Sequence, residues 1–126
     1  MFNGIIFNQG KVKKILKRKN GIDLFIYSKI KIAKKDIGMS ISCDGVCLTL
    51  VKINNNLLEF YLSNETIKRS KFRKIQLDDD INLEKPLKHG QPISGHIIQG
   101  HVDCVAKIIA IKKVDKSFLF SFHVNH

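Results

Sequence analysis

The chain of 126 residues is long enough for one domain, and its 44% hydrophobic content favours a folded core over disorder. No apolar run approaches the roughly 20 residues of a membrane helix, and the first residues lack the pattern of a secretory signal, so we expect a soluble cytoplasmic protein with no membrane partner. Lysine rather than base-reading arginine supplies most of the net charge of +11, so we expect no nucleic-acid partner.

The cysteine pattern excludes two common kinds of site. Cys43, Cys47 and Cys104 form an odd set in a chain without a secretion signal, which argues against a disulfide framework. No second Cys or His pair stands at the spacing of a zinc site. We therefore expect no metal site.

Strands dominate the first part of the chain. Two apolar runs, at 11–16 and 22–27, flank Asn20-Gly21 and predict a hairpin that turns at this dipeptide. The segment 29–36 is ambiguous between a strand and a helical turn. A short strand is predicted at 39–42.

The stretch 45–51 predicts a central buried strand, because it is apolar and β-branched and lies between Asp44-Gly45 and an Asn-rich turn. Cys47 and Thr49 are two residues apart and so share one face of that strand. Taken alone, the stretch favours a core cysteine and a core threonine. The alternative is that the two side chains form the wall of a small-molecule pocket.

The second part of the chain continues with strands around one helix start. A strand at 57–62 precedes Asn64, which is predicted to cap a short helix that ends near Ser70. Another strand is predicted at 81–84, and prolines and glycines then punctuate the chain as far as residue 96. Two final strands are predicted at 102–112 and 118–124.

Short strands joined by tight turns predict a small antiparallel barrel or sandwich. The strands up to Glu84 are enough to close one small barrel. The later part of the chain resembles a restart, because Gly100-His101-Val102 and the run 105–109 repeat the order of the opening glycine and the run 11–15. The chain is thus expected to hold one full repeat and the first part of a second.

Five stretches together resemble one family. They are Met-Phe-Asn-Gly-Ile-Ile at 1–6, Gly-Val-Cys-Leu-Thr at 45–49, Asn-Glu-Thr-Ile at 64–67, Asn-Leu-Glu at 82–84 and Ser-Gly-His-Ile-Ile-Gln-Gly-His-Val-Asp at 94–103. The chain resembles the alpha chain of riboflavin synthase, and the last stretch is the most specific of the five.

The resemblance implies an all-β fold, a six-stranded antiparallel Greek-key barrel followed by an incomplete second repeat. On this basis residues 1–88 form the first lumazine-binding barrel, residues 89–98 a linker, and residues 99–126 the start of a second lumazine-binding barrel.

The resemblance also implies a reaction. Members of the family convert two molecules of 6,7-dimethyl-8-ribityllumazine into riboflavin and 5-amino-6-ribitylamino-uracil, without a cofactor or a metal. They assemble as trimers with the site between barrels of neighbouring subunits. We therefore expect a homo-oligomer, which is a trimer as in the family or a dimer if the second barrel is incomplete.

Site residues are implied by the same motifs, position by position. The resemblance implies that Cys47, His101 and Ser40 take part in turnover, with His101 transferring protons and Cys47 acting as nucleophile or polariser. The implied substrate-binding residues are Phe2, Gly4, Ile5, Ile6, Cys47, Leu48, Thr49, Tyr61, Leu62, Ser63, Asn64, Glu65, Thr66, Gly100, His101 and Val102.

Each of these residues has a plainer explanation when taken alone. Ser40 fits a strand surface, Gly4 and Gly100 fit turns, and His101 fits a structural histidine. The incomplete second repeat also leaves two alternatives to the enzyme. One is a non-catalytic barrel that binds lumazine or riboflavin, and the other is an inactive truncated gene product.

Overall fold

In the computed structural model, which describes residues 1–124, eight strands and one short α-helix follow one another along the chain. The strands are β1 (Asn8–Arg18), β2 (Gly21–Tyr27), β3 (Ser40–Cys43), β4 (Val46–Asn54), β5 (Leu57–Ser63), β6 (Asp80–Glu84), β7 (Ala106–Val114) and β8 (Ser117–Val124). The helix α1 spans Asn64–Arg69, and short 3-10 turns lie at Lys34–Asp36 and Lys71–Lys74. None of the helices in this part of the chain is long and apolar enough to cross a membrane.

Six of the strands close into one antiparallel barrel in the order β1-β2-β5-β4-β3-β6. β6 pairs with β1 from Asn8↔Leu83 to Lys11↔Asp80, and this ladder completes the closure. β5 lies between β2 and β4, so the connection from β2 to β3 must pass over the barrel end, as in a Greek key. The predicted all-β, six-stranded antiparallel barrel is confirmed.

The core decides which face of the central strand is buried. Val46, Leu48 and Leu50 on β4 point inward and pack with other apolar residues of the barrel. Alternate residues of a strand face opposite sides, so Cys47 is only half-buried and Thr49 is exposed. The interpretation of these two as core residues is therefore wrong. Leu48 and Leu50, which alternate with them along the strand, fill the barrel interior instead.

The first hairpin forms as predicted, but its turn lies one residue earlier. β1 ends at Arg18 and pairs directly with Gly21, the first residue of β2, so Lys19 and Asn20 make the turn. Gly21 instead serves a close approach between strands. A Cβ at this position would lie 2.0 Å from the carbonyl oxygen of Leu62.

The cap of α1 also differs from the prediction by one residue. Ser63 has extended backbone angles, and its hydroxyl accepts a hydrogen bond from the Thr66 N–H at 3.2 Å. Asn64, the predicted cap, is the first helical residue, and its N–H donates to the Asn20 carbonyl at 3.0 Å. The helix start is thus tied to the β1–β2 turn.

β7 and β8 form a separate two-stranded sheet. β7 begins at Ala106, four residues later than the start predicted at 102, and almost every residue of both strands is exposed. The punctuated segment before them is in contact with the first residues of the chain: the Leu87 N–H donates to the Met1 carbonyl at 2.9 Å, and the His96 N–H to the Asn3 carbonyl at 3.1 Å. Residues 125 and 126, at the end of the second repeat predicted at 99–126, lie outside the described residues.

Candidate functional site

Five polar residues share the outer surface of three neighbouring strands. In the barrel register Ser42 lies opposite both Glu84 on β6 and Cys47 on β4, and Ser40 lies opposite Thr49. Strand alternation turns all five side chains away from the core. We call this surface the outer polar face: Ser40, Ser42, Cys47, Thr49 and Glu84.

The first residues of the chain are attached to this face by a carboxylate. Glu84 is 8% exposed and accepts a hydrogen bond from the Asn3 N–H at 2.6 Å and two from the Gly4 N–H at 3.1 Å. Gly4 has a φ of +76°. Successive backbone N–H groups that point to one side can bind a single anion. Residues 1–4 are called the N-terminal arm below.

The other edge of the N-terminal arm pairs with residues 96–98. The Phe2 N–H donates to the Ile98 carbonyl at 2.7 Å, and the Ile98 N–H donates back to Phe2 at 3.0 Å. The His96 N–H donates to the Asn3 carbonyl at 3.1 Å. Residues 96–101, called the crossing segment below, are therefore fixed along the arm.

The crossing segment then reaches the central strand at Cys47. The Cys47 N–H donates to the Gly100 carbonyl at 2.9 Å. A Cβ on Gly100 would lie 2.8 Å from the Cβ of Cys47, and the φ of Gly100 is +80°. Only glycine fits here without strain. His101 directly follows Gly100 and is exposed. Val102, the next residue, is half-buried and packs against the core.

The end of β5 and the start of α1 add hydroxyl and carboxylate groups. The hydroxyls of Ser63 and Thr66 are 3.1 Å apart, and Glu65 Oε1 lies 2.5 Å from Arg69 Nε on exposed surface. The hydrogen bond from Arg69 and its charge lower the pKa of the Glu65 carboxyl, so Glu65 is an anion at neutral pH. The Tyr61 hydroxyl donates to the Asn20 carbonyl at 2.9 Å, at the β1–β2 turn.

The structure separates the predicted site residues by what each can offer a ligand. The side chains of Phe2, Leu48 and Leu62 are buried, which leaves only their backbone groups. Ile5 is half-buried, and Ile6 is 41% exposed beside the arm. Ser40, Cys47, Thr49 and His101 keep side-chain surface. The crossing segment contacts Cys47 through Gly100, the residue before His101.

Two cavities are found, and only the smaller overlaps the outer polar face, at Ser42 and Glu84. One of about 330 Å³ includes Gly4, Ser42 and Glu84 in its lining. A larger one of about 860 Å³ lies between α1 and residues 103–107 and shares only Glu65 with the predicted set. Cys47, Thr49 and His101 line neither. The hydrogen bond between Cys47 and Gly100 marks the site better than cavity size does, because a partner can close an open face.

Metal ligands are not clustered in the described part of the chain. Residues 1–124 contain no group of three or more His, Cys, Asp or Glu residues placed to hold a metal ion. Asp44, beside the outer polar face, already has partners: it lies 2.5 Å from Lys71 Nζ and accepts a hydrogen bond from the Asn82 N–H at 2.8 Å.

Glu84 is the site residue that sequence reasoning missed. It was part of a recognised motif, but nothing local showed what its carboxylate would bind. Its partners, Asn3 and Gly4, lie about 80 residues away, with sequence separations of 81 and 80. The local sequence shows only that Glu84 alternates with the apolar residues Ile81 and Leu83 on the predicted strand and that a lysine-containing loop follows it.

Comparisons with known proteins agree with this architecture. A family model, "Lumazine binding domain", matches residues 3–86, which is more than half of the chain. The riboflavin synthase of Photobacterium leiognathi is 33% identical over 114 residues, covering 90% of this chain and 52% of that protein. That of Chlamydia pneumoniae is 37% identical over 114 residues, covering 90% of this chain and 57% of that protein. The chain spans about half the length of these curated relatives.

Solved structures give the same result for the fold. LumP complexed with flavin mononucleotide matches with a TM-score of 0.72 at 26% identity, over 89% of this chain and 63% of that chain. LumP complexed with 6,7-dimethyl-8-(1'-D-ribityl) lumazine matches with a TM-score of 0.74 at 24% identity, over 94% of this chain and 66% of that chain, and supports the fold alone. Together with the family match, these findings confirm the resemblance drawn from the motifs: the chain belongs to the lumazine binding domain family.

Proposed function

We propose that this protein binds 6,7-dimethyl-8-ribityllumazine on the outer polar face and acts as a riboflavin synthase. The observation that carries the proposal is the contact of Gly100 with Cys47, because it places His101, the next residue, beside the strand that carries Cys47 and Thr49. Cys47, Thr49 and His101 come from distant parts of the chain and from two of the motifs that resemble the enzyme. A flat heterocycle placed here would meet a thiol, two hydroxyls and an imidazole.

The proposed chemistry uses these groups on two substrate molecules. Conjugation acidifies the C7 methyl group of one lumazine, and the imidazole of His101 takes the proton as a general base. The carbanion attacks C7 of the second lumazine, with Cys47 as nucleophile or polariser and Ser40 beside it. Holding the two rings together makes the bimolecular step effectively intramolecular.

Binding groups are assigned by what each residue leaves free. Thr49, Ser63, Glu65 and Thr66 would hold ring edges or ribityl hydroxyls, and Asn64, Tyr61 and Val102 would border them. Because Glu84 already takes the Gly4 N–H, the opening segment would contribute the Gly4 carbonyl and the backbone of Ile5 and Ile6. Leu48, Leu62 and Phe2 would contribute backbone groups.

A second barrel would complete the site. The part of the outer polar face formed by Ser40, Cys47 and Thr49 is open in the single chain, whereas the reaction needs two stacked substrates that are shielded from water. We propose that a neighbouring copy covers the face in a homo-oligomer, a trimer or a dimer. The division into a first barrel at 1–88, a linker at 89–98 and a second repeat from residue 99 remains part of this proposal, as does a cytoplasmic location.

A non-catalytic binding barrel is the second candidate function. The open face favours it, because one barrel can hold one ligand without the partner that turnover requires. LumP, the structural neighbour at 26% identity, is complexed with flavin mononucleotide. An inactive gene product is the remaining alternative, and it would show neither binding nor turnover.

The deciding experiment monitors riboflavin formation from 6,7-dimethyl-8-ribityllumazine by absorbance, with substrate fluorescence recorded in parallel. We expect riboflavin from the wild-type chain and a loss of at least tenfold in Cys47→Ser and His101→Ala. Cys104→Ser and His89→Ala are matched controls, since both replace exposed residues away from the face. A fluorescence change without riboflavin would support the non-catalytic binding barrel and rule out the enzyme. No change in either signal would support the inactive gene product.

A further inference from the structure

Glu84 is a buried carboxylate that has no cationic partner among residues 1–124. It is 8% exposed and forms no ion pair within that range, although five other acidic residues there do. A buried charge is costly unless it is compensated. Here the compensation comes from the backbone N–H groups of Asn3 and Gly4, and hydrogen bonds to a charged acceptor are the stronger kind.

The backbone of the N-terminal arm is shaped to receive that carboxylate. The N–H groups of Asn3 and Gly4 both point at the carboxylate, and the chain then leaves Gly4 in the left-handed region, at a φ of +76°. A Cβ on Gly4 would lie 2.4 Å from Cδ1 of Ile98, so the arm is also in close contact with the crossing segment. Two successive N–H groups in this arrangement form a small anion-binding concavity, and Glu84 fills it from within the chain.

A continuous set of hydrogen bonds connects Glu84 to the candidate site. Glu84 holds the arm, the arm pairs with the crossing segment at Phe2 and Ile98, and the Gly100 carbonyl accepts from the Cys47 N–H. Glu84 and Cys47 are also connected through the barrel itself. Glu84 lies opposite Ser42 on the neighbouring strand, and Ser42 lies opposite Cys47. The carboxylate therefore braces the crossing segment against β4.

We propose that Glu84 is a positioning residue for the lumazine site, an internal anion that holds the N-terminal arm and, through it, the crossing segment against Cys47. This inference rests on the proposed function for its ligand, but the attachment of the arm can be measured without any ligand. Glu84 does not touch the substrate in this scheme. Its loss would release the arm and let Gly100 and His101 move away from the outer polar face.

The test compares Glu84→Gln and Glu84→Ala with Glu59→Gln in the full chain. Glu59 is a suitable control because it also lies on the outward phase of a barrel strand, where it is half-buried and accepts neither arm N–H. We expect both Glu84 variants to bind lumazine at least about tenfold more weakly, a difference of about 1.4 kcal/mol. Amide exchange at residues 3 and 4, followed by NMR, should accelerate in both, whereas Glu59→Gln changes neither quantity.

Chemical rescue separates positioning from general damage. Acetate, a small carboxylate, should restore part of the lumazine affinity and of the Asn3 and Gly4 amide protection in Glu84→Ala, because the concavity selects an anion. The same acetate should not change the wild type or Glu59→Gln. A structural cavity alone would not respond to an anion, so absence of rescue would contradict the proposed role.

Two further outcomes overturn the inference, and another concerns only the ligand. Wild-type affinity in Glu84→Gln would overturn it, as would unchanged exchange at residues 3 and 4. If the wild-type chain does not bind lumazine, the proposed function fails, while the exchange rates still decide whether Glu84 holds the arm.

Discussion

Gly100 has no room for a side chain, because Cys47 backbone and Cβ atoms lie within 3.2 Å of where its Cβ would be. Gly100→Ala should therefore lower the free energy of unfolding by more than the roughly 1–2 kcal/mol expected for alanine in the left-handed region, and should weaken lumazine binding. Gly90→Ala is the matched control, since Gly90 has the same φ of +80° but nothing within 4 Å of the added atom. Equal effects in urea unfolding and ligand titration would contradict the packing argument.

Cys43 makes a residue-scale prediction about pH. Burial raises the pKa of its thiol well above the ordinary value, and charges on Asp44 and Cys47 add to the shift. An unfolded thiol ionises near pH 8.5, so above that pH the folded state retains a proton that the unfolded state has lost. Stability is then fully present below about pH 8 and falls as pH rises, by up to about 1.4 kcal/mol per pH unit.

Urea unfolding between pH 8 and 9 tests this linkage, about one unit or more below the reference pKa values of tyrosine and lysine. Cys43→Ala should be less stable at every pH, because it leaves a core cavity, yet its stability should depend less on pH. Cys104→Ala should keep the wild-type slope, since Cys104 is exposed. A wild-type slope in Cys43→Ala would show that another group carries the dependence.

At the scale of elements, α1 depends on its cap because it has only six residues. Ser63→Ala removes the acceptor of the Thr66 N–H and should cost about 1 kcal/mol. It should also weaken lumazine binding, since the first turn carries Glu65 and Thr66. Asn64→Ala should cost only a few tenths of a kcal/mol, because the interaction of Asn64 with Asn20 is made by its backbone. Thermal unfolding and ligand titration of the two variants measure these effects. A larger loss of stability in Asn64→Ala than in Ser63→Ala would show that Asn64 is the cap.

At the scale of the whole molecule, the barrel and the β7–β8 sheet differ in burial. Residues of β2 and β5 supply fully buried side chains such as Leu24 and Phe60, whereas β7 is exposed along its entire length. An isolated two-stranded hairpin is at best marginally stable in water. Backbone amides of β7 and β8 in the dilute chain should therefore exchange much faster than those of β2 and β5. Hydrogen exchange measures this difference. Equal protection in the two sheets would show that a partner covers the hairpin, and further dilution should then remove the protection of β7 and β8.

Local patterns in the sequence were sufficient for most elements of the barrel. Apolar runs and Asn- or Gly-containing turns predicted the first hairpin, the central strand and the short helix, with turns and caps displaced by one residue. The displacement has a local cause: Asn20 and Gly21, like Ser63 and Asn64, are neighbours with similar turn or cap preferences. Only the contacts of Gly21 with Leu62 and of Ser63 with Thr66 distinguish them.

By itself, the sequence determined the class of fold, the strand periodicity and the set of motifs shared with riboflavin synthases. Only the tertiary structure decided that Cys47 and Thr49 face outward, because β4 carries apolar residues on both phases and the phase that fills the barrel depends on its neighbours. It also decided that Glu84 binds the arm and that Gly100 meets Cys47. These contacts join residues more than 50 positions apart, and such pairings depend on how the closed barrel brings distant strands together, which no local pattern of side chains encodes.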